Sequence, residues 1–144
     1  MLGRVSGSRN AYVLTMTPAR ARSARILVVD DEPFIAQLVS DTLLAEGYEV
    51  DTAANGLLAL EQIERQSYDL ILSDLRMPDL DGLALYQELE SRRPDLLRRM
   101  IFISGTIEDP KYLRFLEQAN VPVLPKPFHL DDLRRIIGRS TPAP

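Results

Sequence analysis

The sequence predicts an α/β protein: one open, doubly wound parallel sheet of five strands with helices on both faces. Three observations carry this. Five apolar runs of strand length alternate with five stretches whose apolar residues recur every three or four positions. The connections between them are short and rich in Asp, Asn, Gly and Pro. Residues able to do chemistry fall just after the strands, at the edge where open sheets of this kind hold their ligands.

Taken in order, Arg25-Ile26-Leu27-Val28-Val29 reads as a strand buried on both faces, ending in Asp30-Asp31-Glu32. Pro33 suits the first turn of a helix, with Phe34, Ile35, Leu38, Val39, Thr42 and Leu43 on its apolar face and Gly47 past its end. Tyr48 to Ala53 alternates as a second strand, and Asn55-Gly56 opens a second helix carrying Leu57, Leu60 and Ile63. Asp69 to Asp74 is the third strand. A turn containing Met77-Pro78 and Asp81-Gly82 leads into a helix from about Leu83 to Arg93, which Pro94 stops. Arg99 to Ile103 is the fourth strand and runs into Ser104-Gly105-Thr106. Asp109-Pro110 supplies a cap and a first-turn proline for a helix bearing Tyr112, Leu113, Phe115 and Leu116. Val121 to Leu124 is a short fifth strand before Pro125-Lys126-Pro127-Phe128. In the last helix Asp131 and Asp132 precede Arg134, Arg135 and Arg139, as the helix dipole favours, with Leu130, Leu133, Ile136 and Ile137 inward.

This divides the chain into a leader or linker at 1–24, a domain at 25–138 and a tail at 139–144. Within the leader, Ala11 to Met16 could form a short strand or helical turn. The absence of cysteine excludes disulfides and thiolate metal sites, and the single histidine, His129, excludes a multi-histidine centre. His129 reads as a surface or capping residue. No apolar run approaches a membrane span, and no secretory signal follows the first arginine, so a cytoplasmic protein is expected. The net charge of −4 conceals an asymmetry: residues 1–25 hold five arginines and no acid, leaving 12 basic against 21 acidic side chains, a net of −9. An acidic body of this kind does not suggest nucleic-acid binding.

The strand ends carry the functional signal: Asp30 and Asp31 after the first, Asp74 after the third, Ser104 after the fourth and Lys126 after the fifth. Three carboxylates in one crevice repel one another unless protonated or joined by a cation. A hard divalent ion such as Mg²⁺ takes oxygen ligands and keeps positions open for phosphate oxygens. With a lysine and a hydroxyl beside it, such a crevice suits a phosphoryl group. Asp74 would be the nucleophile, Lys126 would neutralise the phosphoryl oxygens, and Ser104 would donate a hydrogen bond. Singly, each feature reads as a cap, a loop lysine or a turn. Their joint placement at four strand ends is the specific signal.

Val28-Val29-Asp30-Asp31-Glu32, the run Asp74-Leu75-Arg76-Met77-Pro78-Asp79-Leu80-Asp81-Gly82, Ile103-Ser104-Gly105 and Lys126-Pro127-Phe128 together resemble the motifs of the response-regulator receiver domain of two-component signalling. The resemblance spans about Arg25 to Gly138 and keeps the motif order. It implies a flavodoxin-like (βα)5 sandwich of the CheY-like kind. It also implies that Asp74 accepts a phosphoryl group from the phosphohistidine of a histidine kinase or a histidine phosphotransfer protein. Asp31, Asp74 and the backbone carbonyl of Arg76 would hold Mg²⁺ (Mn²⁺ would also suit), with Asp30 acting largely through water. Ser104 and Lys126 would contact the phosphoryl oxygens, and the Lys126–Pro127 peptide would be cis. The protein would be a signalling phosphoacceptor rather than an enzyme, acting only on its own phosphorylation and dephosphorylation. Its output would pass to a downstream protein, a covalently linked domain or a phosphorylation-dependent homodimer.

Two departures stand out. Receiver domains often carry Tyr or Phe three residues before the lysine, and here that position is Val123. Arg76 lies two residues after the acceptor, where its guanidinium could pair with the phosphoryl group or with Glu108 and hinder attacking water. With Thr106, it is read as a modulating residue. Three other readings meet an obstacle in the residues. A haloacid-dehalogenase-type phosphatase needs a second Asp where Arg76 stands. A nucleotide- or flavin-binding module needs glycines where Asp30-Asp31-Glu32 stands. A degenerate receiver serving only protein contacts would not keep all five key side-chain types. Whether the chain is a stand-alone regulator or the receiver portion of a hybrid kinase is left open by the residues.

Overall fold

The computed structural model describes residues 23–105 and 107–141. The expectations for the leader, for Thr106 and for the end of the tail lie outside the described residues. The elements are β1 (Arg25–Val29), α1 (Pro33–Ala45), β2 (Glu49–Ala53), α2 (Gly56–Arg65), β3 (Leu70–Asp74), α3 (Gly82–Arg92), a 3₁₀ turn (Pro94–Arg99), β4 (Met100–Ser104), α4 (Pro110–Ala119), β5 (Val123–Pro125) and α5 (Leu130–Ser140). All strand pairings are parallel, in the order β2-β1-β3-β4-β5. The five-strand, doubly wound expectation is met.

Strand alternation divides the core into two layers. Leu27, Val29, Ile71 and Phe102 face one side, with Ala59, Leu60 and Ile63 of α2, Leu85 and Leu89 of α3 and Tyr112 of α4. Ile26, Val28, Leu70, Leu72, Ile101 and Ile103 face the other, against Val39 and Leu43 of α1 and Leu133 and Ile137 of α5. Burial of each large side chain contributes roughly 1.5–3 kcal/mol. The two layers together therefore fix which strand ends lie side by side.

Local departures from the sequence reading have identifiable causes. Phe34, expected on the inward face of α1, is 77% exposed. It lies in the first turn, beyond the end of the strand it follows. Leu57 and Leu113, also read as inward, are exposed, as is Leu38 to a lesser degree. Periodicity marks a helix face, yet not how far the neighbouring layer extends along it. Arg99, read as the start of β4, ends the 3₁₀ turn and donates from Nη1 to the Tyr68 carbonyl at 2.9 Å. β5 begins at Val123 rather than Val121. Gly47 has φ of +97°, a left-handed conformation that suits glycine just past α1.

Candidate functional site

Asp30 continues β1 by one residue, its amide donating to the Ala53 carbonyl at 3.0 Å. The side chain is thereby drawn into the crevice and is only 3% exposed. Its Oδ1 accepts the Glu32 amide at 2.9 Å, while Oδ2 is buried without a hydrogen-bond partner. Asp31 is exposed at the rim. On the neighbouring strand, Asp74 closes β3 opposite Ile103 of β4 and is itself buried. The turn behind it is pinned by the Gly82 amide donating to the Leu75 carbonyl at 2.9 Å. A Cβ on Gly82 would lie 2.5 Å from the Asp74 carbonyl oxygen and 2.9 Å from Phe102, so only glycine lets α3 start this close to the strand.

Ser104 ends β4 and is buried beside Pro125 of β5, between the strands that carry Asp74 and Lys126. Its carbonyl accepts the Lys126 amide at 2.6 Å, and the Lys126–Pro127 peptide is cis, as the resemblance implied. From this anchored backbone the lysine reaches back across the crevice. Its Nζ lies 3.2 Å from Asp74 Oδ2, 3.7 Å from Asp30 Oδ2 and 3.6 Å from Glu32 Oε1. Asp30, Asp31 and Asp74 each offer a carboxylate oxygen, all within 4.8 Å of one another.

The electrostatics follow from this crowding. Burial pushes the Asp30 carboxyl up from its ordinary range, and the Asp74 and Asp31 carboxylates add to this, against the Glu32 amide and Lys126. For Lys126, burial alone would favour the neutral amine. The carboxylates of Asp74, Asp30 and Glu32 outweigh it and raise the pKa, so the ammonium is held charged. One ammonium against four acidic side chains leaves negative charge unbalanced. The orphaned Asp30 oxygen and the all-oxygen donor set fit a hard divalent cation such as Mg²⁺.

The structure thus brings together Asp30, Asp31, Asp74 and Lys126, with Ser104 in the intervening strand. The Arg76 amide points at Asp74 Oδ1 over 3.4 Å, a weak contact that sets the Arg76 backbone beside the acceptor carboxylate. Its guanidinium carbon lies 5.9 Å from the centre of the Tyr112 ring, and no ion pair with Glu108 is formed. Val123 is half-buried in β5, opposite Phe102, and packs on the α2–α4 side of the core. Two features escaped the sequence reading. Glu32 joins the lysine's acidic partners, a role suggested only by its place in the Asp-Asp-Glu run. Asp81, read as turn chemistry, is the N-cap of α3. Its Oδ1 accepts the Ala84 amide at 2.9 Å and its Oδ2 accepts the Tyr112 hydroxyl at 2.7 Å.

An open, doubly wound sheet with an acidic, cation-ready crevice and one lysine at the carboxyl ends of its strands defines a class of α/β module fitted to hold a cation beside a buried carboxylate. Comparison with known proteins makes this specific: residues 26–138 match the family model of the response regulator receiver domain, and the chain belongs to that family. It is 34% identical to the transcriptional regulatory protein GlrR of Escherichia coli over 116 residues, 81% of this chain and 26% of that protein. It is 38% identical to the sensor kinase CckA of Brucella abortus over 113 residues, 77% of this chain and 12% of that protein. The chain therefore spans about a quarter or less of these two relatives. Among solved structures, the Vibrio cholerae chemotaxis protein CheY4 superposes with a TM-score of 0.73 at 30% identity, covering 82% of this chain and 98% of that one.

The protein is accordingly a receiver domain of two-component signalling, a module found in response regulators and in hybrid kinases. The family is a signalling phosphoacceptor rather than a conventional enzyme, and binds Mg²⁺ at an acidic pocket; this chain has such a cluster. Receiver domains interact with histidine kinases and are linked to output domains. Among the described residues, no helix is long and apolar enough to cross a membrane.

Proposed function

We propose that Asp74 is the phosphoacceptor and that Asp30, Asp31 and the Arg76 carbonyl hold Mg²⁺ with it. The supporting observation is the crevice itself: a buried strand-end carboxylate 3.2 Å from one ammonium, beside a buried carboxylate oxygen with no hydrogen-bond partner. When bound, Mg²⁺ supplies positive charge for the phosphoryl oxygens. The chain's own residues do the rest. One Asp74 oxygen attacks phosphorus as the P–N bond of a donor phosphohistidine breaks, and its electron pair returns to the imidazole ring. Lys126 neutralises charge on the moving phosphoryl oxygens, and Ser104 donates a hydrogen bond to one of them. In a separate dephosphorylation step, water attacks phosphorus as the P–O bond to Asp74 breaks, releasing inorganic phosphate and the Asp74 carboxylate. The domain thus assists its own phosphorylation and dephosphorylation.

The donor would be a histidine kinase or histidine phosphotransfer protein in the cytoplasm. Output would pass to a docking protein, a covalently linked domain or a homodimer. The test is incubation with acetyl phosphate or phosphoramidate and Mg²⁺, followed by intact-mass measurement. Wild type is expected to gain one phosphoryl mass and Asp74→Asn none. Equal labelling of the variant would move the acceptor elsewhere.

A further inference from the structure

Arg76 is held at both ends. Its amide lies against Asp74 Oδ1 at 3.4 Å, and its guanidinium carbon sits 5.9 Å from the Tyr112 ring centre. Arg76 is exposed, and among the described residues it forms no ion pair, so no carboxylate fixes where its charge rests. The ring is different. Tyr112 is the one buried residue of α4, only 7% exposed, and its hydroxyl is tied to Asp81, the cap of α3, at 2.7 Å. Burial fixes the ring, the hydroxyl adds a hydrogen bond donated to the Asp81 carboxylate, and the phenol pKa is raised to about 12, by burial first and the Asp81 bond second. A fixed aromatic face attracts a cation within about 6 Å. Lys111 Nζ shares the same ring at 4.7 Å, which crowds two positive charges around it.

We propose that Tyr112 is a positioning residue for the phosphorylation site. Its ring holds the Arg76 guanidinium at the rim beside Asp74, and through Arg76 sets how fast water reaches the aspartyl phosphate. The link joins the turn after β3 to the first turn of α4 through the N-cap of α3. This rests on Asp74 being the phosphoacceptor.

The experiment follows loss of the phosphoryl mass after labelling with acetyl phosphate and Mg²⁺ and removal of the donor, in wild type, Arg76→Ala, Tyr112→Leu, Tyr112→Phe and the double variant Arg76→Ala/Tyr112→Leu. Arg76→Ala is expected to shorten the lifetime about two- to fivefold, the size of one exposed cation–π contact. Tyr112→Leu is expected to match it, and the double variant to be no shorter-lived than either. Tyr112→Phe keeps the ring and is expected to restore the wild-type lifetime. Multiplicative effects in the double variant would show that Tyr112 acts independently of Arg76 and overturn the proposal. So would an unchanged lifetime in Arg76→Ala, or a Tyr112→Phe as short-lived as Tyr112→Leu. Because Tyr112→Leu could loosen α4, the phenylalanine variant decides the matter on a folded protein. Failure of wild type to label at Asp74 overturns the underlying assignment instead, a distinct result from labelling with uncoupled lifetimes.

Discussion

Each end of the sheet gathers carboxylates around one cation, and the two ends treat them in opposite ways. Near the amino ends of the strands, Glu49, Asp51 and Asp69 surround Arg25. The guanidinium pairs with Glu49 and, at 3.3 Å, with Asp51, while the Arg25 amide donates to Asp69 at 2.8 Å. Tyr68 adds a hydroxyl to Asp51 at 2.7 Å. At the carboxyl ends, Asp30, Asp74 and Glu32 share one lysine, Asp31 adds a further carboxylate beside them, and one buried oxygen of Asp30 is left without a hydrogen-bond partner. The same residue types serve as a closed structural network at one edge and as an unfinished site at the other. Buried polar atoms are nearly always satisfied, so the exception marks where a ligand completes the structure. The comparison can be broken by three measurements.

The largest effect is expected at Lys126, the one ammonium of the unfinished end. Lys126→Met removes the only side-chain cation within reach of Asp74 among the described residues. The rate of phosphoryl uptake from acetyl phosphate should fall about 10²–10³-fold, as on deletion of one preorganised donor to a developing charge. Intact-mass time courses would check this. An unchanged uptake rate would mean that the lysine only balances resting charge, making the two ends alike.

A second pair of variants should move stability in opposite directions. Arg25→Ala strips the cation from a network that is already complete. It is expected to lower folding stability by about 1–2 kcal/mol, because carboxylates are left partly desolvated and unpaired. Mg²⁺ should not repair the loss. Asp31→Asn removes one of three like charges whose oxygens lie within 4.8 Å. In EDTA it is expected to raise stability by up to about 1 kcal/mol, the Coulomb energy at that separation in water. The wild type should gain about 1.4 kcal/mol from Mg²⁺ at ten times its dissociation constant, and Asp31→Asn should lose most of that gain. Urea denaturation with and without Mg²⁺ measures both. A wild type indifferent to Mg²⁺ would dissolve the contrast between the two ends.

Much of this was legible in the sequence, for a physical reason. A strand covered on both faces is an unbroken apolar run, so its end is sharp, and a charge placed there stands out. That is why the sequence alone places Asp30, Asp74, Ser104 and Lys126 at one edge. What stayed hidden depends on how elements rotate against one another. The pairing of Arg25 with Glu49 and Asp51 follows from the parallel register of β1 on β2, which apolar pattern alone does not set. Arg25 therefore read only as the first residue of a strand, counted among the five arginines of residues 1–25. The contact of Arg76 with Tyr112 needs α4 seated by its first turn, with the ring turned toward the cap of α3. Leu113, one position along the same helix, was expected inside and is exposed. Pro94 read correctly as the end of α3, but the 3₁₀ turn beyond it, with Leu96 buried, was not separable from the start of β4.

The smallest effect, and the sharpest test of the closed end, concerns Tyr68. Its side chain is 2% exposed and its hydroxyl donates to Asp51. Burial pushes the phenol well above its ordinary range, and the Asp51 bond and charge push it further, against Arg25 and Arg65. A phenol whose folded pKa is raised contributes stability that is complete below the unfolded pKa of about 10 and is lost as pH rises through the folded value. Tyr68→Phe keeps the ring and removes the titration. At neutral pH it should cost about 1 kcal/mol for the lost hydrogen bond. Between about pH 8 and pH 11 the wild type should lose about 1.4 kcal/mol at this position that the variant does not. Lys126 and Tyr112, whose pKa values are also raised, titrate in both proteins and cancel in the difference. The two stabilities should therefore converge near pH 11, where urea midpoints can be compared directly. Parallel pH profiles would mean that Tyr68 ionises as freely in the folded chain as in the unfolded one, and the amino end of the sheet would then not be the closed network that sets off the open site.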